Sequence, residues 1–139
     1  FHKNLENIFR IKDLYKFFYI KKKSSKALYG IDYFMNLSNY KICINTHLDN
    51  DHFSGNMRLF EGTGSGCCVL TNHNRDINKL FEEDKEVVTY KNKYEALEKL
   101  KWLLNNEKKL REISLKGQEK TLKFYNYKIS TQKIYENLY

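Results

Sequence analysis

Hydrophobic positions along this chain alternate between two rhythms, a recurrence every three or four residues and short unbroken apolar runs. Leu5, Ile8, Ile11, Tyr15 and Phe18 share one helical face, which predicts an opening helix that needs a partner surface and ends within 21–25. After Gly30, the stretch IDYFMNLSNY predicts a second, shorter helix, and KICIN, apolar between polar neighbours, predicts a buried strand. A polar loop spans 46–55. MRLFEGTGSG then predicts a helix capped by Ser54 or Asn56, fading into glycines before a second buried strand, CCVLT. A short helix around 77–81 leads to EVVTY, a third strand. Beyond it, Tyr94, Leu97, Leu100 and Leu104 predict the buried side of a strongly periodic helix. Leu110, Ile113, Gly117 and Phe124 outline a further helix, and 129–138 a last one with Ser130 or Asn126 as its cap.

Strands alternating with helices predict a parallel sheet covered on both faces, because parallel neighbours need a crossover and the crossover helices cover the sheet. The expected class is α/β: a Rossmann-like three-layer α/β/α domain with a small parallel sheet and several C-terminal helices. The 139 residues fit one domain, 1–139, with 1–26 as an N-terminal helix and basic connector. The chain opens without methionine, and Phe1 enters a helical pattern already under way, so it reads as a piece of something longer.

Composition narrows the classes. With 41% hydrophobic and 15% aromatic residues at regular spacing, the chain has the makings of a core and not of a disordered segment. No apolar run approaches the ~18 residues that a span requires, and no signal-peptide pattern is present, so a cytoplasmic location is expected. Cys43, Cys67 and Cys68 are odd in number and lie in apolar runs, the pattern of buried thiols rather than a disulfide framework. The net charge of +8 is spread over scattered lysines, with one run at 21–23, and no nucleic-acid-binding motif accompanies it. Nucleic acid is therefore not an expected partner. The lysine run is placed to touch an anionic membrane surface, although a solvated helix end explains it as well.

Candidate chemistry concentrates in 43–72 and splits in two. THLDNDHFSG sets His47, Asp51, His52 and Gly55 in a pattern that resembles the metal loop of metallo-β-lactamase-type hydrolases, which defines a zinc-hydrolase alternative. Asp49 stands where that pattern has its second histidine, and the glycine and terminal glutamate of a calcium loop are missing at their spacing. The second half points to phosphates and sugars. A helix starting near Asn56 at the carboxyl end of KICIN turns its unpaired amides and positive dipole end toward the crevice above the sheet. Arg58 adds a forked donor for phosphate oxygens, and Glu61, three residues on, can accept from vicinal hydroxyls. A surface ion pair between the two is the plainer alternative. Gly62, Gly64 and Gly66 allow close backbone approach, yet they fit neither the dinucleotide fingerprint nor the Walker loop.

KICINTH, NMRLFEGTGSGCCVLTN and the acidic turn after LF, followed by a long charged helix, resemble the C-terminal half of group 1 glycosyl transferases, most closely their CgeB-like, spore-maturation-type branch. The resemblance covers roughly 27–127 and rests on Asn45, Asn56, Arg58, Phe60, Glu61 and Gly66. It implies one half of a GT-B fold, whose missing N-terminal domain completes the cleft, and a hexosyltransferase activity that needs no metal or other cofactor. The substrate would be a nucleotide-diphosphate sugar, and the acceptor a saccharide, a protein or a lipid-linked glycan, in cell-surface polysaccharide or glycoconjugate biosynthesis. By the same resemblance Glu61 binds the nucleotide ribose, Arg58 and Asn56 approach the phosphates, and Asn45, His47, Gly62 and Gly66 complete the substrate site. No catalytic residue is assigned. Phe53 stands at the position of the family's first glutamate, which defines a second alternative, a catalytically degenerate nucleotide-binding or assembly module.

Overall fold

The computed structural model describes residues 18–24, 26–47 and 55–138. Leu5, Ile8, Ile11 and Tyr15 of the opening helix lie outside the described residues, as do Asp49, Asp51, His52, Phe53 and Ser54 of the polar loop. Helical residues 18–23 form α1. There follow α2 (Gly30–Leu37), β1 (Ile42–Asn45), α3 (Met57–Gly64), β2 (Cys68–Asn72), α4 (Ile77–Leu80), β3 (Val88–Tyr90), α5 (Lys93–Asn105), α6 (Glu107–Phe124) and α7 (Tyr127–Leu138).

The strands form one parallel sheet in the order β1-β2-β3. Ile42 pairs with Cys68 and Asn45 with Thr71, while Leu70 pairs with Val88 and Thr71 with Thr89. Central β2 is buried over Cys68, Val69, Leu70 and Thr71, as a strand covered on both faces must be. Its side chains alternate. Cys68 and Leu70, with Val88, pack on Leu103 of α5 and on Leu110 and Ile113 of α6. Val69 and Val87 face the other way, against Leu59 of α3, Ile77 of α4 and Phe81. The rings of Phe60, Phe81 and Tyr125 extend this second core, with Phe60 and Tyr125 centroids 4.9 Å apart. The result is the expected three-layer, Rossmann-like α/β/α arrangement.

Helix α6 runs beneath the amino-terminal ends of all three strands. Lys41, just before β1, pairs with Glu107 at its start. Gln118 donates to the carbonyl of Gly64 ahead of β2 (3.1 Å), and Lys120 pairs with Glu86 ahead of β3 (2.6 Å). Such close contact needs Gly117, where a Cβ would lie 2.4 Å from the Glu86 carbonyl oxygen.

Two expectations about apolar faces need correction. In α5, Tyr94, Leu97 and Leu104 are exposed, and the inward stripe is Ala96, Leu100 and Leu103. The short strand β3 forms an edge of the narrow sheet, so only one stripe of the helix beside it finds a partner. In α6, Leu110, Ile113 and Gly117 turn inward as expected, but Thr121 continues that face and Phe124 is half exposed. Helix α7 starts after Asn126, whose side chain accepts from the Ile129 amide (3.0 Å), and buries none of its residues. Among the described residues, no helix is long and apolar enough to cross a membrane.

Candidate functional site at the carboxyl edge of the sheet

Polar residues collect where the strands end. In a parallel α/β sheet this carboxyl edge is where loops and helix amino-termini converge, and ligands of open sheets bind outside it. Asn45, the last residue of β1, is buried and donates from Nδ2 to Thr71 Oγ1 (3.2 Å). Its Oδ1 accepts from Asn56 Nδ2 (3.1 Å), while its carbonyl accepts from the Tyr90 hydroxyl (3.1 Å). One hydrogen-bonded string therefore links all three strand ends to the start of α3.

Of the two caps the sequence allows, Ser54 and Asn56, the helix uses Asn56. Its Oδ1 accepts from the Leu59 amide (3.1 Å), and its Nδ2 also reaches the Thr46 carbonyl (3.3 Å). Both ends of this amide are thus used inside the protein, and Asn56 acts by setting where α3 begins. The remaining first-turn amides have no intrahelical acceptor, by the geometry of any helix start.

His47 is buried at the same edge. Its backbone amide donates to Asn72 Oδ1 (2.7 Å), which fixes that atom as the acceptor, and its Nδ1 approaches the same oxygen (3.0 Å). An acceptor on one side requires a proton on the other, so Nδ1 is the donor in this contact. Thr71 Oγ1 lies 3.3 Å from Nδ1.

Arg58 and Glu61 stand together on the side of α3 that faces α2. Arg58 Nε is 3.7 Å from Glu61 Oε2, a longer ion pair between a guanidinium 65% exposed and a carboxylate 19% exposed. Between them sits a residue that the sequence reading did not single out. The Tyr33 hydroxyl donates to Glu61 Oε2 (3.0 Å) and accepts from Arg58 Nη1 (3.0 Å), and the guanidinium carbon lies 5.1 Å from the Tyr33 ring centroid. The Tyr33 hydroxyl is raised above its ordinary value by burial, then by its hydrogen bond to Glu61 and that group's charge, with Arg58 opposing. Beyond Glu61, a cleft of about 520 Å³ continues along α3, lined by Phe34, Met35, Phe60 and Leu122 among others.

Gly62 and Gly66 lie further along the chain, in α3 and at its exit. Gly62 is wedged against the sheet, where a Cβ would lie 2.8 Å from Val69 Cγ2 and 3.3 Å from Cys43 Sγ. Gly66, at φ +85°, follows the carboxyl end of α3 next to Gln118. It sits at the opposite end of that helix from Asn56. The structure therefore brings Asn45, His47 and Asn56 together, places Arg58 and Glu61 further along α3, sets Gly62 against the sheet and puts Gly66 just past the far end of that helix.

A second polar cluster borders this edge. Asn45, Thr71 and Thr89 share one rung of the sheet, and Thr89 donates to Glu83, whose Oε2 lies 2.9 Å from His73 Nδ1. Burial raises the Glu83 carboxyl, but hydrogen bonds from Thr89, His73 and Asn78 outweigh it and hold the group below its ordinary value. One repeated pattern marks this edge in the sequence: β1 runs into Asn-Thr-His and β2 into Thr-Asn-His, polar triplets after apolar runs. Among the described residues, no group of three His, Cys, Asp or Glu side chains is placed to hold a metal ion.

A parallel sheet with helices on both faces and a polar, hydrogen-bonded carboxyl edge defines a Rossmann-like α/β domain. The chain belongs to the glycosyl transferase-like family, whose model matches residues 10–136. That membership supports glycosyl transfer as the class of chemistry and lends no support to the zinc-hydrolase alternative. No curated protein matches the chain, and no solved structure does.

Proposed function

We propose that this chain is the donor-binding half of a GT-B glycosyltransferase of the CgeB-like branch, holding a nucleotide-diphosphate sugar at the carboxyl edge of its sheet. The observation that carries the reading is the Arg58–Glu61 pair on α3, just below the helix start that Asn56 fixes against Asn45. Three residues of helix separate the two side chains by about 4.5 Å along the axis. That spacing suits a ligand whose diphosphate and sugar hydroxyls are neighbours.

In this reading Glu61 accepts from the ribose hydroxyls. Arg58, with only one of its N–H groups given to Tyr33 among the described residues, directs others at phosphate oxygens. As the glycosidic bond to the diphosphate breaks, negative charge grows on the leaving phosphate. The dipole of α3 and the guanidinium would offset that charge and so lower the barrier. The mechanism needs no metal. Asn45 and His47 shape the floor of the site, and the acceptor and its general base would come from the facing domain of the GT-B cleft.

Calorimetric titration with uridine, guanosine, adenosine and cytidine diphosphates tests the reading. One of them is expected to bind, with affinity reduced about 10- to 100-fold in Arg58→Ala and in Glu61→Ala, as loss of a charged hydrogen-bond partner implies. Failure of all four to bind the parent chain, with no binding gained when Tyr33 is replaced by Phe, would refute donor binding and favour the assembly module that Phe53 suggests.

A further inference from the structure

The place between Arg58 and Glu61 is taken by a side chain whose chemistry matches that of a sugar hydroxyl. A phenolic O–H has one proton to give and lone pairs to receive. The Tyr33 hydroxyl gives its proton to Glu61 and receives from Arg58, at 3.0 Å in both cases. An alcohol of a ribose or a pyranose bound to this pair would make the same two bonds. An ether oxygen or a C–H in that position would make at most one.

The helix that delivers Tyr33 is lightly held. No residue of α2 is buried, and Tyr29, Ile31 and Met35 beside Tyr33 are largely exposed. Its carboxyl end is tied down, since Cys67 Sγ contacts the carbonyls of Leu37 (3.3 Å) and Tyr40 (3.2 Å). Midway along, Tyr33 reaches α3 through the two hydroxyl bonds and the guanidinium–ring contact. A small swing of α2 about its anchored end, or a rotation of the Tyr33 side chain, withdraws the hydroxyl without opening the core.

We propose that Tyr33 is a displaceable occupant of the Arg58–Glu61 pair, a competitor whose place a ligand hydroxyl must take before it can bind both residues. This proposal rests on the donor-binding reading of that pair. Its consequence is selective competition. A sugar hydroxyl exchanges like for like with the Tyr33 hydroxyl and gains little beyond the two bonds it replaces, whereas a ligand lacking that hydroxyl leaves Tyr33 in place, so Tyr33 weakens only ligands that carry the hydroxyl.

The test is binding of the four nucleoside diphosphates and their 2′,3′-dideoxy counterparts to the parent chain, Tyr33→Phe, Tyr33→Leu and Glu61→Ala. Tyr33→Phe keeps the ring over Arg58 and removes the competing hydroxyl. It is expected to bind the ribose compound about tenfold tighter than the parent, the worth of one to two net hydrogen bonds, with the dideoxy compound unchanged. Tyr33→Leu, on a helix without buried residues, should behave in the same direction. The proposal is overturned if the parent binds through Glu61 but Tyr33→Phe gains nothing, or if both compounds tighten equally. Absence of binding by the parent and by both Tyr33 variants overturns the donor-binding reading along with it.

Discussion

Gly117 and Gly62 show how closely single residues control this architecture. At Gly117 an added methyl would meet the backbone oxygen of Glu86 at 2.4 Å, and backbone beneath a sheet cannot easily retreat. At Gly62 the nearest atom is Val69 Cγ2 at 2.8 Å, a side chain with slightly more freedom. Overpacking of this kind costs roughly 1–3 kcal/mol. Urea unfolding is therefore expected to show Gly117→Ala destabilised by about 3 kcal/mol and Gly62→Ala by less, and equal stabilities would contradict the packing described. Arg58, Glu61 and Asn56 could be singled out from residue type and spacing because a helix start, a fork of donors and a carboxylate are local properties. Tyr33 could not. Nothing within α2 announces that its hydroxyl lands between two residues 25 and 28 positions away.

At the scale of elements, β2 is buried along most of its length, and Cys68 at its start, with Cys67 just before it, records this chemically. Burial, followed by the neighbouring thiol Cys43, pushes Cys67 up to about 11, and burial followed by Cys67 pushes Cys68 up to about 12. Both thiols thus hold their protons more tightly folded than unfolded. The stability they contribute is complete below the ordinary thiol value and is lost as pH rises from there through about 11 to 12. Accordingly, iodoacetamide at pH 8 should leave both unmodified in the native chain and label them once urea unfolds it, as peptide mass analysis would show. Rapid native labelling would contradict the burial. Helix α5 teaches the opposite lesson. Its periodicity was readable, but two stripes, Leu97 with Leu104 and Leu100 with Leu103, compete at nearly the same spacing, and only the position of β3 selects between them.

Across the whole molecule, stability is concentrated where α6 passes under the sheet and thins toward α2 and α7. Helix α6 contributes Leu110, Ile113, Ser114, Gly117 and Thr121 to the interior, whereas α2 and α7 contribute no buried residue. Local opening follows buried contact. Amide hydrogen exchange followed by mass spectrometry should find β2 and the inward half of α6 slowest, with α2 and α7 exchanging orders of magnitude faster. Uniform protection would instead mean that α2 is clamped, which would also count against displacement of Tyr33.

Sequence by itself determined the alternation of elements, the parallel sheet and the place of the candidate pair on α3, and it narrowed the cap of that helix to Ser54 or Asn56. Each of these depends on short-range preference or on the side-chain period of a single element. Tertiary structure alone decided which face of α5 is covered, which atoms Gly62 lies against, and that Tyr33, Thr71, Asn72 and Tyr90 join the polar network around the carboxyl edge and α3. Those outcomes depend on the distance between segments far apart in the chain. No local pattern encodes it, and it is set only when the two layers of helices close on the sheet.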